Sequence, residues 1–465
     1  MRLRCVVAMI AVALGLGGCA TVYNLPLNQP SANPFTGTMV QAVAPRALHL
    51  NEDGTAIGLA FSGGGTRAAA FADGVLTELA HAPAPRGARG DLLDRVRIVS
   101  GVSGGSVMAA YFGLKGRSAL DDFREQFLTQ DVMAALDTRI SLINVGKALG
   151  GGINTDNRLR DWFNAHLFHD ATYGQIFGPG RPIILINATD IYNRSPFLFA
   201  PATFAAFCSD LSAYPLAAAV SASAAVPGAF APIVIETFPG QCNVPLPDWV
   251  SRVAHDPAGS PQLQAFAQAL ENAHDGKVKY IKLLDGGLAD NYGLSGVTIA
   301  RTASGTPYGP LQPQEAVRLR RLLFLVVDAG QGPEGQWGHT LEGPTGKELV
   351  SAVVDVLVDA NAHSSYAAFE ATMRNWRDAL VKWRCGLKPA EVVRLRGNLH
   401  GWSCRDLRID VGRVAFGQLD PARAARLKKV PTSFTLPAES VDDLISAGRD
   451  ALKANLAYQR FAEGR

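Results

Sequence analysis

Three glycine-rich turns hold the residues of this chain best suited to chemistry. In Gly101-Val102-Ser103-Gly104-Gly105 a serine stands between glycines at −2 and +2, the G-x-S-x-G spacing. So tight a turn forces the serine into strained backbone and displays its hydroxyl where a strand meets a helix N-terminus. Free N–H groups and the helix dipole favour an anionic nucleophile there. Ser62-Gly63-Gly64-Gly65-Thr66-Arg67 offers three consecutive glycines, whose N–H groups can converge on one oxygen. It lacks the lysine of a G-x-x-x-x-G-K-S/T phosphate loop, and the G-x-G-x-x-G spacing of a dinucleotide fold fails at Ala68. An oxyanion hole is the better reading of Gly63, Gly64 and Gly65, with Arg67 orienting the loop or meeting an acidic head group. Asp285-Gly286-Gly287 closes a third apolar run, and Asp285 can take the proton of Ser103 as general base. A Ser–Asp–His triad is the rival, because His339, His363 and His400 follow Asp285 in the chain. None of them sits in a glycine-rich or strand-end setting. Asp328, which ends "LFLVVD", is a candidate supporting carboxylate or a strand-terminal cap, and Asp190 and Asn291 are candidate neighbours.

Each turn needs an element on either side to position it. "TAIGLAF" (55–61) predicts a strand and 66–82 a helix, so the glycine loop joins the two. "RVRIVS" (95–100) predicts a strand that feeds the serine turn, followed by a helix over 103–114. Residues 181–190, 280–285 and 321–330 predict further strands. Apolar runs alternating with helices indicate a mostly parallel central sheet flanked by helices, an α/β fold. Residues 119–149 read as one or two amphipathic helices, carrying Leu120, Phe123 and Phe127, then Met133 and Leu136. A long helix is expected from Lys347 to Trp383. Its two stripes, Leu349-Val353-Val356-Leu357-Ala360 and Trp376-Leu380-Trp383, read as core contacts, with a lipid-facing lid as the sharper alternative.

The three turns, in this order, resemble the patatin-like phospholipase family. Its pattern is a glycine-rich oxyanion loop, then G-x-S-x-G, then Asp-Gly-Gly or Asp-Gly-Ala. The block "ASAAVPGAFAP" (222–232) is similar to the family's segment of small residues before its aspartate. The resemblance spans about 55–330 and implies a Ser103–Asp285 dyad, an oxyanion loop at Gly63–Gly65, and turn glycines at Gly101, Gly105, Gly286 and Gly287. It implies a lipid ester substrate, a phospholipid or lysophospholipid, and no metal or organic cofactor. This sequence departs from many members in having Ser62 where they have aspartate, and it inserts roughly 236–278 before the dyad aspartate. An acyltransferase using the same dyad, or a lipid-binding protein without catalysis, remains open at the sequence level.

With 48% hydrophobic and 18% charged residues in 465, the chain can bury a large core, and its net charge of +3 gives no case for nucleic acid. Arg2 and Arg4 precede an apolar run from Cys5 to Leu16 that is short for a membrane span and reads as a secretory signal. Leu16-Gly17-Gly18-Cys19 resembles the bacterial lipoprotein box, which implies an acylated Cys19. Ala20 after that cysteine implies the outer membrane, with the protein facing the periplasm. The expected organisation is a signal over 1–18, an acylated cysteine and tether over 19–54, a catalytic domain over 55–330 and a helical extension over 331–465. Cys208, Cys242, Cys385 and Cys404 then remain, an even number that suits an oxidising compartment. Of three connectivities, Cys208–Cys242 with Cys385–Cys404 is the local one, and free thiols are the alternative.

Overall fold

A computed structural model describes residues 23–34, 50–51, 53–84, 88–136, 157–178, 180–227, 229–332, 336–344 and 346–464. Strands β1 (Thr55–Phe61), β2 (Val96–Val102), β3 (Ile183–Asp190), β4 (Ser195–Phe199), β5 (Ile233–Glu236), β6 (Tyr280–Asp285), β7 (Arg321–Asp328) and β8 (Arg408–Ala415) form one sheet. Its order is β5-β6-β3-β2-β1-β7-β8, with β4 paired to β3. β1, β2, β3, β7 and β8 are mutually parallel, whereas β4 and β6 run against β3. The sheet is therefore mixed but mostly parallel. β1 and nearly all of β7 are buried, as near-continuous apolar strands covered on both faces must be.

Six helices frame the site or pack against the elements that hold it: α1 (Gly65–His81), α2 (Gly104–Lys115), α3 (Leu216–Ser223), α4 (Gly287–Asp290), α5 (Lys347–Gly386) and α6 (Ala438–Ala454). α1 and α2 start directly after the glycine loop and the serine turn, as the sequence predicts. The one or two amphipathic helices expected over 119–149 are, in the described part, a continuous helical run from Ala119 to Leu128 and a short helix Val132–Ala135; the remainder lies outside the described residues.

The expected boundary at 330 is not a break in the core. β8 pairs with β7 at eight positions, and α6 packs on α1. There a side chain at Gly74 would meet the Ile445 carbonyl at 2.0 Å, and one at Gly448 the Phe71 carbonyl at 2.2 Å. Two bare glycine surfaces thus let the C-terminal helix seat directly on the helix that follows the glycine loop. The region after 330 is largely helical, as expected, but it also completes the sheet. The sequence reading passed over β8, and β4 and β5 as well.

α5 runs antiparallel to β7. Buried Arg384 donates to the Leu319 carbonyl at 2.9 Å just before β7, and Phe369 stacks near Phe324 with ring centroids 4.7 Å apart. Asn361 donates to the Leu288 carbonyl of α4 at 2.8 Å, beyond the strand's carboxyl end. Trp376 and Leu380 are core residues. The other stripe departs from expectation: Leu349, Val353, Val356 and Leu357 are half or more exposed, because this part of the helix runs on beyond its contact with Leu288 and no described core residue covers them. The disulfides are Cys208–Cys242 and Cys385–Cys404, the local connectivity.

Candidate active site

The meeting of two strands on one edge of β3 builds the site. β2 occupies that edge as far as the pair Val102–Asn187. β4 holds the opposite edge, so β6 takes over from β2 at the next position, where Ala188 pairs with Asp285. β2 runs up to this junction and β6 runs down to it. Ser103 and Asp285, 182 residues apart in sequence, are therefore the facing ends of two strands in line. The sequence reading placed Asp285 at a strand's carboxyl end, which holds, but not on a strand that enters from the opposite direction.

Ser103 sits at φ 51°, ψ −122°, a conformation that a side chain rarely adopts and that costs on the order of 1–3 kcal/mol. Its surroundings hold it there. The Ser103 N–H donates to Ser223 Oγ at 2.9 Å, and the Ser223 hydroxyl donates to the Asn187 carbonyl at 2.6 Å. Asn187 Nδ2 donates to Ser100 Oγ and to the Gly101 carbonyl, both at 2.9 Å. The Ser106 hydroxyl donates to the Ser103 carbonyl at 2.6 Å. The other half of the dyad hangs from the same frame: the Asp285 N–H donates to the Ala225 carbonyl at 2.9 Å and the Gly286 N–H to the Ser223 carbonyl at 3.2 Å. Ser223 thus ties both halves of the site. It and Asn187 were missed in sequence, although Ser223 lies inside the 222–232 block.

Asp285 shares a hydrogen bond with the Ser103 hydroxyl and accepts the Gly287 N–H at 2.8 Å. It is enclosed yet keeps some contact with solvent. Desolvation pushes its carboxyl up to about 6, against those two hydrogen bonds, which pull it down. None of the three candidate histidines takes part: His339, His363 and His400 are exposed, and none perturbs Asp285.

The three loop glycines are not equivalent. The Gly63 N–H donates to the Asn291 carbonyl at 3.1 Å, so it is already engaged, and this corrects the expectation for that residue. Gly64 and Gly65, at φ 136° and 59°, lead into the first turn of α1, and Gly104 opens α2. N–H groups at such positions have no acceptor within their own helix. The two helix starts touch: a side chain on Gly104 would lie 1.9 Å from the Gly65 carbonyl. The backbone contact that brings two sets of donors together is the reason the x after the serine is itself glycine. Gly101, Gly105 and Gly286 have backbone carbonyls within 2.6 Å of where a side chain would start, and Gly287 lies against Asp285 and Asn291.

Arg67 is buried, with its guanidinium beside Gly64. It donates to the carbonyls of Ala329 and Val430, to Gln331 and to Thr432, binding the glycine loop to the C-terminal segment. It orients the loop and does not reach a head group. Asp328 accepts the Tyr292 hydroxyl at 2.9 Å and the Gly330 N–H at 2.9 Å, anchoring the segment after the dyad aspartate to β7. Asp190 is occupied in its own turn by Tyr192 and Asn193. The Asn291 side chain lies between Gly63 and Gly287, beside the dyad.

A family model described as patatin-like phospholipase matches residues 59–297, half of the chain and all three turns. The chain belongs to the patatin-like phospholipase family. A search of curated proteins gives no match. Among solved structures, human GIVD cytosolic phospholipase A2 is similar, with a TM-score of 0.38 and 13% identity over 92% of this chain. The chain spans 64% of that protein's length. The matched span ends at 297, inside the helix after the dyad loop, whereas the sheet continues into β7 and β8.

Proposed function

We propose that this protein is a serine lipid acyl hydrolase of the phospholipase A or lysophospholipase type, with Ser103 as nucleophile and Asp285 as base. The meeting of Ser103 and Asp285 at the joint of β2 and β6, with the serine on a strained turn facing two helix N-termini, carries the reading. Ser103 Oγ attacks the ester carbonyl carbon as its proton passes to Asp285. The tetrahedral oxyanion takes hydrogen bonds from the N–H groups of Gly64, Gly65 and Gly104. Collapse breaks the bond to the alcohol, which leaves with the proton held by Asp285, and the acyl chain stays on Ser103. Asp285 then takes a proton from water as the water oxygen attacks the acyl carbon, and returns it to Ser103 Oγ as the acyl–Oγ bond breaks, releasing a fatty acid and free Ser103.

The proposal extends to place. An acylated Cys19 anchors the protein to a bacterial outer membrane, facing the periplasm. The two disulfides support an oxidising compartment. The test is incubation of the full chain with phospholipid and lysophospholipid vesicles, followed by product analysis with and without alcohol acceptors. Free fatty acid independent of acceptor is expected. Acyl transfer to the acceptor in place of hydrolysis would contradict the hydrolase assignment.

A further inference from the structure

The large apolar side chains left exposed are not spread evenly over the described surface. Val393, Leu399 and Leu456 lie elsewhere; Ile191 and Tyr192 follow β3, Tyr280 opens β6, Trp337 and Leu341 come in the segment after β7, and four more lie on the first half of α5. Tyr192, 68% exposed, comes just after the end of β3. Tyr280 opens β6 three residues beyond the Leu283–Asp190 pair. The ammonium groups of Lys279 and Lys282 lie over its ring, 5.1 and 5.3 Å from the centroid. Tyr23 and Leu25, 65% and 73% exposed, are held nearer the level of the dyad, at the start of β5, by Asn24, which donates to the Ala231 and Pro232 carbonyls at 3.0 and 3.1 Å. On the far side of the dyad, α5 continues about 20 Å past Asn361, at 1.5 Å per residue. Leu349, Val353, Val356 and Leu357 make its exposed stripe at i, i+4, i+7 and i+8. Leu341, fully exposed, precedes it.

We infer that this edge is a membrane-docking face, which seats in the head-group region of a lipid bilayer and presses the mouth of the dyad against it. The inference rests on the lipid-ester reading of the site. Two outcrops from separate segments flank the dyad and form no shared groove, so a broad, flat partner is what can meet both. Tyrosines beside lysines suit a surface that is apolar below and wet above. Among the described residues no helix is long and apolar enough to cross a membrane, so the contact is interfacial. Cys19 stands four residues before Tyr23, so an acyl group on it would be tethered to this surface by no more than about 14 Å of chain. The exposed stripe of α5 consists of Leu349, Val353, Val356 and Leu357, none of them charged, so docking there is by apolar insertion and does not depend on anionic lipid.

The experiment uses the full chain with Cys19→Ser, so that acylation plays no part, and with Ser103→Ala, so that the result is the same whether or not Ser103 is a nucleophile. Binding to neutral phosphatidylcholine vesicles is read by flotation, at low and high salt. Replacing Leu349, Val353, Val356 and Leu357 together by serine should lower the partition coefficient at least about tenfold, the scale of burying one leucine side chain. Tyr192→Ser with Tyr280→Ser should lower it independently. Val393→Ser with Leu399→Ser should leave it unchanged, as should salt. Near-ultraviolet circular dichroism checks the fold of each variant, and the tyrosine pair decides the matter if the α5 set does not fold. Unchanged partition in both sets, binding only to anionic vesicles that salt abolishes, or loss of a dimer in place of loss of vesicle binding would each overturn the inference.

Discussion

At the scale of single residues, the site combines a strained serine with a carboxylate held partly out of water, and each has a measurable sign. At φ 51° glycine relieves the strain that alanine keeps. Ser103→Gly should therefore unfold at higher denaturant than Ser103→Ala, by about 1 kcal/mol, while both lack activity. Asp285 acts as base only when ionised. With its carboxyl raised to about 6, kcat/KM should rise with pH through about 6 and level off above it. The same shift acts on stability. A folded-state value above the unfolded one favours folding at low pH, and that contribution is lost as pH rises through about 6. Asp285→Asn should raise Tm by roughly 2–5 °C at pH 8, with no gain at pH 4, and remove activity at both. Thermal scans at the two pH values check it, and a lower Tm for the variant at pH 8 would contradict the stated electrostatics.

At the scale of elements, the site is a joint between β2 and β6, sealed by the contact of two helix starts. Gly104→Ala puts a methyl group into the Gly65 backbone, so it should prevent soluble expression, and Ser223→Ala should not. Ser223→Ala removes the acceptor of the Ser103 N–H and the tie to Asn187. It should lower kcat about 10²-fold with KM little changed, as expected for a positioning residue whose loss lets reacting groups drift. Steady-state kinetics on a soluble ester read this directly. The three turns were legible in sequence because each depends on local rules: glycine at fixed offsets, a β-branched run before, a helix after. The joint itself was not, since the reversal of β6 against β3 follows from a long insertion and from the edge that β4 occupies. The engagement of Gly63 by Asn291 was hidden for the same reason, being a contact across 228 residues. The α5 stripe had the right spacing, but periodicity tells which residues share a face and not what covers it.

At the scale of the whole molecule, the region after 330 belongs to the same core as the turns, through β8, α6 and the partners of Arg67. Cys385–Cys404 ties the last turn of α5 to the segment whose Asp406 pairs with buried Arg384. Replacing both cysteines by alanine should cost about 3 kcal/mol, as for a closed loop of about 20 residues. Urea unfolding checks it, and because this end of α5 is remote from the dyad, activity should persist below the transition. The central claim is that Ser103 is a nucleophile activated by Asp285, and one measurement meets it directly. The full chain is treated in detergent with a fluorophosphonate probe, the adduct is mapped by mass spectrometry, and Ser103→Ala and Asp285→Asn are run alongside. Labelling of Ser103 that Ser103→Ala abolishes and Asp285→Asn strongly reduces is the predicted result. An unlabelled Ser103 in folded protein, or labelling that is indifferent to Asp285, would contradict it.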